Sequence, residues 1–179
     1  MHEQLFSLLP EKQHRAESQR IISCNALTAS YGLQLSQQDT ELLLQSRSQI
    51  LSEQQRVEFS GGILPRLIEC FCDSDYLRQD TYVQTLLELQ ELFYIYKNES
   101  LDLLTDDELL AFMKEQFNGV CYGSVEYLGD TCLDRFSAAI RAGYEGYKQT
   151  GGKGVYAQFS QEERWDKELF LSVLKDLIE

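Results

Sequence analysis

The stretch YVQTLLELQELFYIYK, residues 82–97, decides the fold, because its apolar side chains recur at helical spacing. Five of them share one helix face, and three more widen that face until only a narrow polar strip remains. The first group is Tyr82, Leu86, Leu89, Phe93 and Tyr96, and the second is Val83, Leu87 and Tyr94. A helix that is apolar around most of its circumference packs against neighbours on several sides. We therefore expect this helix at the centre of the domain.

Capping residues mark where the neighbouring helices begin and end. In a capping box, a hydroxyl accepts from a backbone N–H, and an acid three residues later lies near the positive end of the helix. Three pairs have this spacing: Ser36 with Asp39, Thr105 with Glu108, and Ser160 with Glu163. Other positions are typical of left-handed helix ends (Gly32 and Gly119), of a first turn (Pro65) and of an N-cap (Ser124).

These signals predict an all-α fold, a single helical domain over residues 1–179 with about seven or eight helices. The predicted helices cover about 2–9, 12–31, 37–56, 63–72, 80–98, 106–118, 124–143 and 161–178. The last has an apolar face that we expect to pack within its own domain. The glycine-rich residues 146–160 favour either a loop or a short hairpin near 150–160.

The net charge of −13 is concentrated in one part of the chain. Residues 69–130 carry 14 acidic and 3 basic side chains, whereas acids and bases nearly balance elsewhere. Such a surface repels phosphate backbones, so we expect no nucleic-acid partner. The chain shows no secretory signal and no apolar run of roughly 18 residues, so we expect no membrane binding and a cytoplasmic location.

Cysteine, histidine and glycine patterns argue against the common cofactor sites. Five cysteines are a poor disulfide framework, and two histidines without a CxxC pair are a poor zinc site. Loops that start at Asp73 or at Asp102 do not place oxygen ligands at the spacing that a calcium-binding loop requires. The glycines of residues 146–152 lack a lysine where a phosphate-binding loop needs one. We therefore expect neither a metal nor a cofactor.

Four stretches of the sequence resemble a known family: GGILPRLIECFCDSDYL (61–77), ELQELFYIYKNES (88–100), TDDELLAFM (105–113) and GSVEYL (123–128). Over roughly residues 20–142, the chain resembles a family of small bacterial cytosolic helical proteins without an assigned activity. The resemblance implies a bacterial, cytosolic protein, and it carries over no catalytic or binding residue.

Two classes of function remain open. The favoured hypothesis is a protein-interaction or scaffold protein without catalytic activity, which binds a partner or a second copy of itself through an apolar helix face. The alternative is an enzyme or small-ligand-binding protein with a pocket between helices. Such a pocket would use the polar groups of Asp73, Asp75, Tyr94, Tyr96, Cys121 and Glu126. If several of these groups face one concave pocket, the alternative is favoured. If their positions are scattered, the first hypothesis is favoured.

Overall fold

The structure is a computed structural model that describes residues 2–58 and 62–149, with side chains from 11–58 and 62–141. Within these ranges every regular element is helical and there are no strands, which confirms the predicted fold class. The elements are α1 (His2–Ser23), α2 (Asn25–Thr28), α3 (Gln37–Glu53), α4 (Leu64–Phe71), α5 (Tyr82–Glu99), α6 (Asp106–Asn118), α7 (Val125–Tyr127) and α8 (Leu133–Gln149). A 3₁₀ turn, Ala29–Tyr31, follows α2, and a π-helical turn, Leu128–Cys132, joins α7 to α8.

The helix count differs from the prediction. Six helices of eight residues or more lie in the described ranges, whereas the sequence predicts about seven or eight. One reason is that α1 continues through Pro10 to Ser23, because a proline removes only one backbone hydrogen bond and a helix can continue beyond it. The predicted helix over 161–178 and the predicted loop or hairpin near 150–160 lie outside the described residues.

Two predicted capping boxes are confirmed. Ser36 Oγ accepts from the backbone N–H of Asp39, and Thr105 Oγ1 accepts from that of Glu108. Both acids in turn accept from the backbone N–H of their capping residue, so each box is complete. These reciprocal bonds satisfy N–H groups that the first helical turn leaves without partners. The third predicted box lies outside the described residues.

The remaining predicted helix ends agree with the structure except at Gly119. Gly32 is left-handed with φ of +74°, Pro65 lies in the first turn of α4, and Ser124 caps α7 by accepting from Tyr127 N–H. Gly119 does follow the last residue of α6, but its φ is −86°, so the prediction of a left-handed residue there was wrong. The left-handed backbone comes later in the same turn, at Tyr122 and Gly123.

Helix α5 lies at the centre of the described fold, as the sequence predicts. It contacts α3, α4, α6, α7 and α8. Of the eight predicted apolar side chains, Val83 and Leu87 are partly buried. The other six are almost completely buried: Tyr82, Leu86, Leu89, Phe93, Tyr94 and Tyr96. Burial of a large apolar side chain stabilises the fold by about 1.5–3 kcal/mol before the loss of conformational entropy is counted. Packing around α5 is therefore the main source of stability in this domain.

Tyr96 connects α5 to the π-helical turn. Its hydroxyl donates to the carbonyl oxygen of Leu128 at 2.8 Å, and both groups are buried. Its ring packs against Phe136 with 5.0 Å between centroids and against Phe112 at 6.1 Å. Burial raises the pKa of Tyr96 far above its ordinary value, so the phenol remains a neutral donor. Its position identifies Tyr96 as a core residue.

Three further observations concern the described part of the chain. No helix there is long and apolar enough to cross a membrane. No group of three or more metal-ligating side chains occurs among these residues. All five cysteines are free thiols, and all but Cys70 are buried.

We expect the Tyr96→Phe variant to lose about 0.5–1.5 kcal/mol of unfolding free energy, because it removes one buried hydrogen bond without changing the packing of the ring. Chemical denaturation followed by circular dichroism measures this loss. The control is Tyr31→Phe, which removes an exposed hydroxyl and should change stability by less than about 0.5 kcal/mol. Equal stability of the two variants would contradict a structural role for the Tyr96 hydroxyl.

Candidate functional site

The six residues that the sequence proposes for a pocket do not all line the same cleft. Tyr94 and Tyr96 both belong to α5, but Tyr94 donates to Glu58 whereas Tyr96 donates to Leu128. Asp73 and Asp75 lie in the loop after α4, Cys121 lies in the connection between α6 and α7, and Glu126 lies in α7. Tyr94 lines the charged cleft described below.

None of these four has the surroundings of a catalytic group. The Asp73 carboxylate pairs with Lys114 Nζ at 2.6 Å, while Asp75 and Glu126 are exposed to solvent. Cys121 Sγ lies 3.4 Å from Cys132 Sγ in the core. Burial, reinforced by the contact with Cys132, raises the pKa of Cys121 to about 12, so its thiol stays protonated. A protonated thiol is a poor nucleophile.

Two exposed tyrosines, Tyr76 and Tyr122, lie close in sequence to Asp75 and Glu126. We call these two tyrosines the tyrosine surface. Tyr122 is 76% exposed and Tyr76 is 40% exposed. Tyr76 lies against the backbone that follows Tyr122, since a Cβ placed on Gly123 would come within 2.4 Å of its side chain. The Tyr76 ring also meets the edge of Phe117, with 6.2 Å between centroids. Tyr76 therefore packs on the turn that carries Tyr122.

The backbone of Tyr122 is left-handed, with φ of +47°. This conformation costs a residue with a side chain about 1–2 kcal/mol, and the surrounding turn supplies compensating bonds. Tyr122 N–H donates to the Gly119 carbonyl at 3.1 Å, and Gly123 N–H donates to the Phe117 carbonyl at 2.8 Å. The turn therefore fixes the backbone from which a large aromatic side chain extends into solvent.

A second feature is a charged cleft of about 300 Å³ between the loop after α3, the start of α4, the last turns of α5 and the start of α6. Charged side chains from four different elements converge there, and apolar side chains form part of its wall. The lining residues are Leu51, Arg56, Val57, Glu58, Gly62, Arg66, Phe93, Tyr94, Lys97 and Asp106. Of the six predicted pocket residues, the cleft contains only Tyr94.

One wall of the charged cleft is supported by a buried ionic cluster centred on Arg47. Arg47 Nη2 contacts Glu17 Oε2 at 2.5 Å, and its Nε lies 3.6 Å from Glu58 Oε2. The hydroxyl of Tyr94 donates to the other oxygen of Glu58 at 2.6 Å. Arg47 is only 8% exposed, and a buried guanidinium left without a partner would cost several kcal/mol. The two carboxylates therefore allow Arg47 to remain buried.

Burial raises the pKa of Tyr94 far above its ordinary value, and the neighbouring Glu58 carboxylate adds to that effect. The phenol consequently stays neutral and serves as a donor to Glu58. Arg47 Nε and Glu58 Oε2 are buried and have no hydrogen-bond partner within the described residues. The 3.6 Å contact between them is an ion pair too long for a hydrogen bond.

At the mouth of the charged cleft, cations pair with acids that begin α6. Arg66 donates from Nη1 to Asp107 and from Nη2 to Asp106, each at 2.8 Å. Lys97 Nζ lies 3.1 Å from Asp106 Oδ1 and donates to the Leu104 carbonyl at 3.0 Å. The acids at the start of α6 thus form ion pairs with residues of α4 and α5. They also interact favourably with the positive end of their own helix dipole.

Several residues with positive φ surround the charged cleft. Gln55, Leu101 and Asp102 have φ between +52° and +56°, and Gly62 has φ of +73°. Gln55 precedes the lining residue Arg56, and Asp102 is 3.8 Å from the guanidinium of Arg56. Strained backbone persists only where the surrounding structure enforces it. The walls of the cleft are therefore specified by the packing around them.

Comparison with known families gives a match to a family model over residues 20–146. The chain belongs to the DUF6323 family. It is a family of unknown function, and its match confirms the resemblance to a family without an assigned activity. Comparisons with curated proteins and with solved structures gave no match. The DUF6323 match contains the tyrosine surface and every residue that lines the charged cleft, whereas Glu17 of the buried cluster precedes it.

Sequence reasoning assigned none of the charged residues of the cleft to a site. Glu58, Lys97 and the supporting Arg47 belong to different elements and are separated by many positions, so no local motif connects them. Tyr122 was missed as well, although the glycine after it signals a turn. Asp75 and Glu126, by contrast, were singled out, and both lie in segments that carry the tyrosine surface.

We expect Gly62→Ala to destabilise the protein by about 1–3 kcal/mol more than Gly32→Ala. Both glycines have φ near +74°, so both variants introduce the same backbone strain. Only at Gly62 does an added Cβ collide, at 2.4 Å from Arg47 Nη1 and 2.5 Å from Glu58 Oε2; at Gly32 nothing lies within 4 Å. Urea denaturation of the two variants measures the difference, and equal losses would contradict close packing of the Arg47 cluster.

Proposed function

We propose that this chain is a protein-interaction domain that binds its partner through the tyrosine surface. The observation that carries the proposal is Tyr122, a tyrosine that is 76% exposed on a fixed left-handed backbone. Tyrosine is enriched at the centres of protein interfaces, because it offers a large contact area and loses little conformational entropy on binding. The backbone of Tyr122 is already fixed by the turn, so it adds no ordering cost on binding.

The surroundings of the tyrosine surface favour a basic partner. Asp75 immediately precedes Tyr76, and Glu126 follows Tyr122 by four residues in α7; both carboxylates are exposed. The region that contains them, residues 69–130, holds 14 acids and 3 bases. Complementary charge speeds encounter and rejects like-charged partners. The partner therefore presents lysine or arginine side chains around an apolar anchor.

The same charges disfavour two other kinds of partner. A second copy of the chain would bring its own net charge of −13 against this face. A nucleic acid would be repelled for the same reason. The buried, protonated thiol of Cys121 gives no support to nucleophilic catalysis near this surface. A different, basic protein fits the tyrosine surface best.

The test compares Tyr122→Asn with the wild-type chain as baits in native cells, followed by quantitative mass spectrometry. Asparagine tolerates a left-handed backbone, so this variant removes the ring and keeps the turn. We expect recovery of a specific basic partner to fall about tenfold or more, as for an interface hot spot. With the purified partner, the affinity should also weaken as salt rises, because exposed charges are screened.

The matched control is Tyr31→Asn, which removes another tyrosine, 50% exposed, from a different part of the surface. It should recover the partner as the wild-type chain does. Equal recovery by all three baits would place the interface elsewhere. Sedimentation equilibrium of the wild-type chain and of Tyr122→Asn completes the test. A wild-type dimer that becomes a monomer in Tyr122→Asn would show that the tyrosine surface mediates self-association instead of binding a basic partner.

A further inference from the structure

Two cysteines of the chain lie in contact, and the proposed interaction uses neither of them. Cys121 Sγ is 3.4 Å from Cys132 Sγ, and both residues are buried. We propose that this pair is a site of reversible oxidation, at which hydrogen peroxide converts the two thiols to a disulfide. The new bond joins the connection between α6 and α7 to the π-helical turn that precedes α8.

The geometry of the pair leaves only a short movement to bond formation. A disulfide has a sulfur–sulfur length of about 2.05 Å, so the two sulfurs must approach each other by about 1.4 Å. Their side chains already point towards each other, and Cys121 belongs to a turn rather than to a helix. A rotation of its side chain with a small shift of that turn closes the distance.

The other three cysteines have different surroundings. Each of these thiols donates to a backbone carbonyl oxygen: Cys24, Cys70 and Cys72. Cys121 and Cys132 instead contact each other, with either sulfur able to donate. A disulfide is therefore favoured at this pair over any other pairing of the five cysteines.

The reaction consumes one peroxide molecule in two steps. The thiolate of Cys121 attacks a peroxide oxygen, so that an S–O bond forms, the O–O bond breaks and hydroxide leaves; the sulfur loses two electrons and becomes a sulfenic acid. The thiolate of Cys132 then attacks that sulfur, the S–S bond forms and the S–O bond breaks. The two thiol protons and the peroxide together leave as two molecules of water.

The surroundings of Cys121 make the first step slow and the second fast. Its neighbours Val120 and Tyr122 are 39% and 76% exposed, so a local opening of the turn admits peroxide to Cys121 before Cys132. Burial and the contact with Cys132 raise the pKa of Cys121 to about 12, so little thiolate exists at neutral pH. A sulfenic acid formed there reacts quickly, because Cys132 is already in contact with it.

The disulfide restrains the turn on which Tyr122 lies. It closes a short loop, since the two cysteines are 11 positions apart, and such a link restricts the unfolded chain and stabilises the folded one. Tyr122 directly follows Cys121, so its backbone is restrained by the same bond. This restraint does not depend on what the tyrosine surface binds, and the inference stands apart from the proposed function.

The experiment exposes the full reduced chain to rising hydrogen peroxide until the partly exposed Cys70 is oxidised. Remaining thiols are blocked with iodoacetamide in denaturant, and tryptic peptides are mapped by mass spectrometry. Residues 115–135 form one tryptic peptide, which contains Cys121, Cys132 and no other cysteine. We expect it to lose two hydrogens and to carry no blocking group, and to carry two blocking groups once dithiothreitol has reduced it. Two blocked thiols without reduction, or a sulfinic acid in place of the disulfide, would overturn the proposal.

Thermal melting with two variants assigns the restraint to this pair. Oxidation should raise the melting temperature of the wild-type chain by about 5 °C. Dithiothreitol should reverse the rise, which separates it from any effect of methionine sulfoxide. Cys132→Ala should form sulfenic acid at Cys121 and show no reversible rise, whereas the matched control Cys70→Ala should behave as the wild type.

Each variant is compared with its own reduced form, so a loss of stability from the substitution does not affect the result. If Cys132→Ala does not fold, the peptide map of the wild-type chain decides alone. An equal reversible rise in Cys132→Ala would refute the assignment to this pair.

Discussion

Helix α5 carries apolar side chains around most of its circumference, so the domain folds only when other elements surround it. Five elements do so, from α3 before it to α8 after it. This arrangement also places the two candidate sites. The loop that bears Tyr76 leads into the first turn of α5, whereas the charged cleft involves Phe93, Tyr94 and Lys97 near its end. The rise of the helix separates those ends by about 20 Å, so the two sites can act independently.

The acidic excess of residues 69–130 serves more than one purpose. Macrodipole and capping effects, which sequence analysis can recognise, account for the acids at the start of α6. The structure adds tertiary partners: Asp106 and Asp107 pair with Arg66, and Asp73 pairs with Lys114. Exposed carboxylates such as Asp75 and Glu126 remain outside these pairs. They give the face around the tyrosine surface its negative charge.

Sequence analysis predicted the features that depend on neighbouring residues. The apolar pattern of α5, the capping boxes at Ser36 and Thr105, and the left-handed Gly32 are all local, and all are confirmed. The charged cleft could not be predicted, because Arg47, Glu58 and Lys97 meet only after α3 and α5 have packed. The left-handed Tyr122 was equally hidden, since nothing in a tyrosine favours positive φ. Helix lengths were predicted only in part. The sequence predicts a break near Pro10, whereas α1 continues through that residue.

The π-helical turn at Leu128–Cys132 determines how α8 meets the core. A π-helical turn holds one residue more than an α-helical turn, and each helical residue rotates the chain by about 100°. This single extra residue therefore sets the rotation of α8 relative to α7, and with it the packing of Phe136 against Tyr96. A one-residue deletion in the turn would rotate Phe136 and Ile140 away from the core. The packing of α8 on the core thus constrains the length of the segment between Ser124 and Phe136.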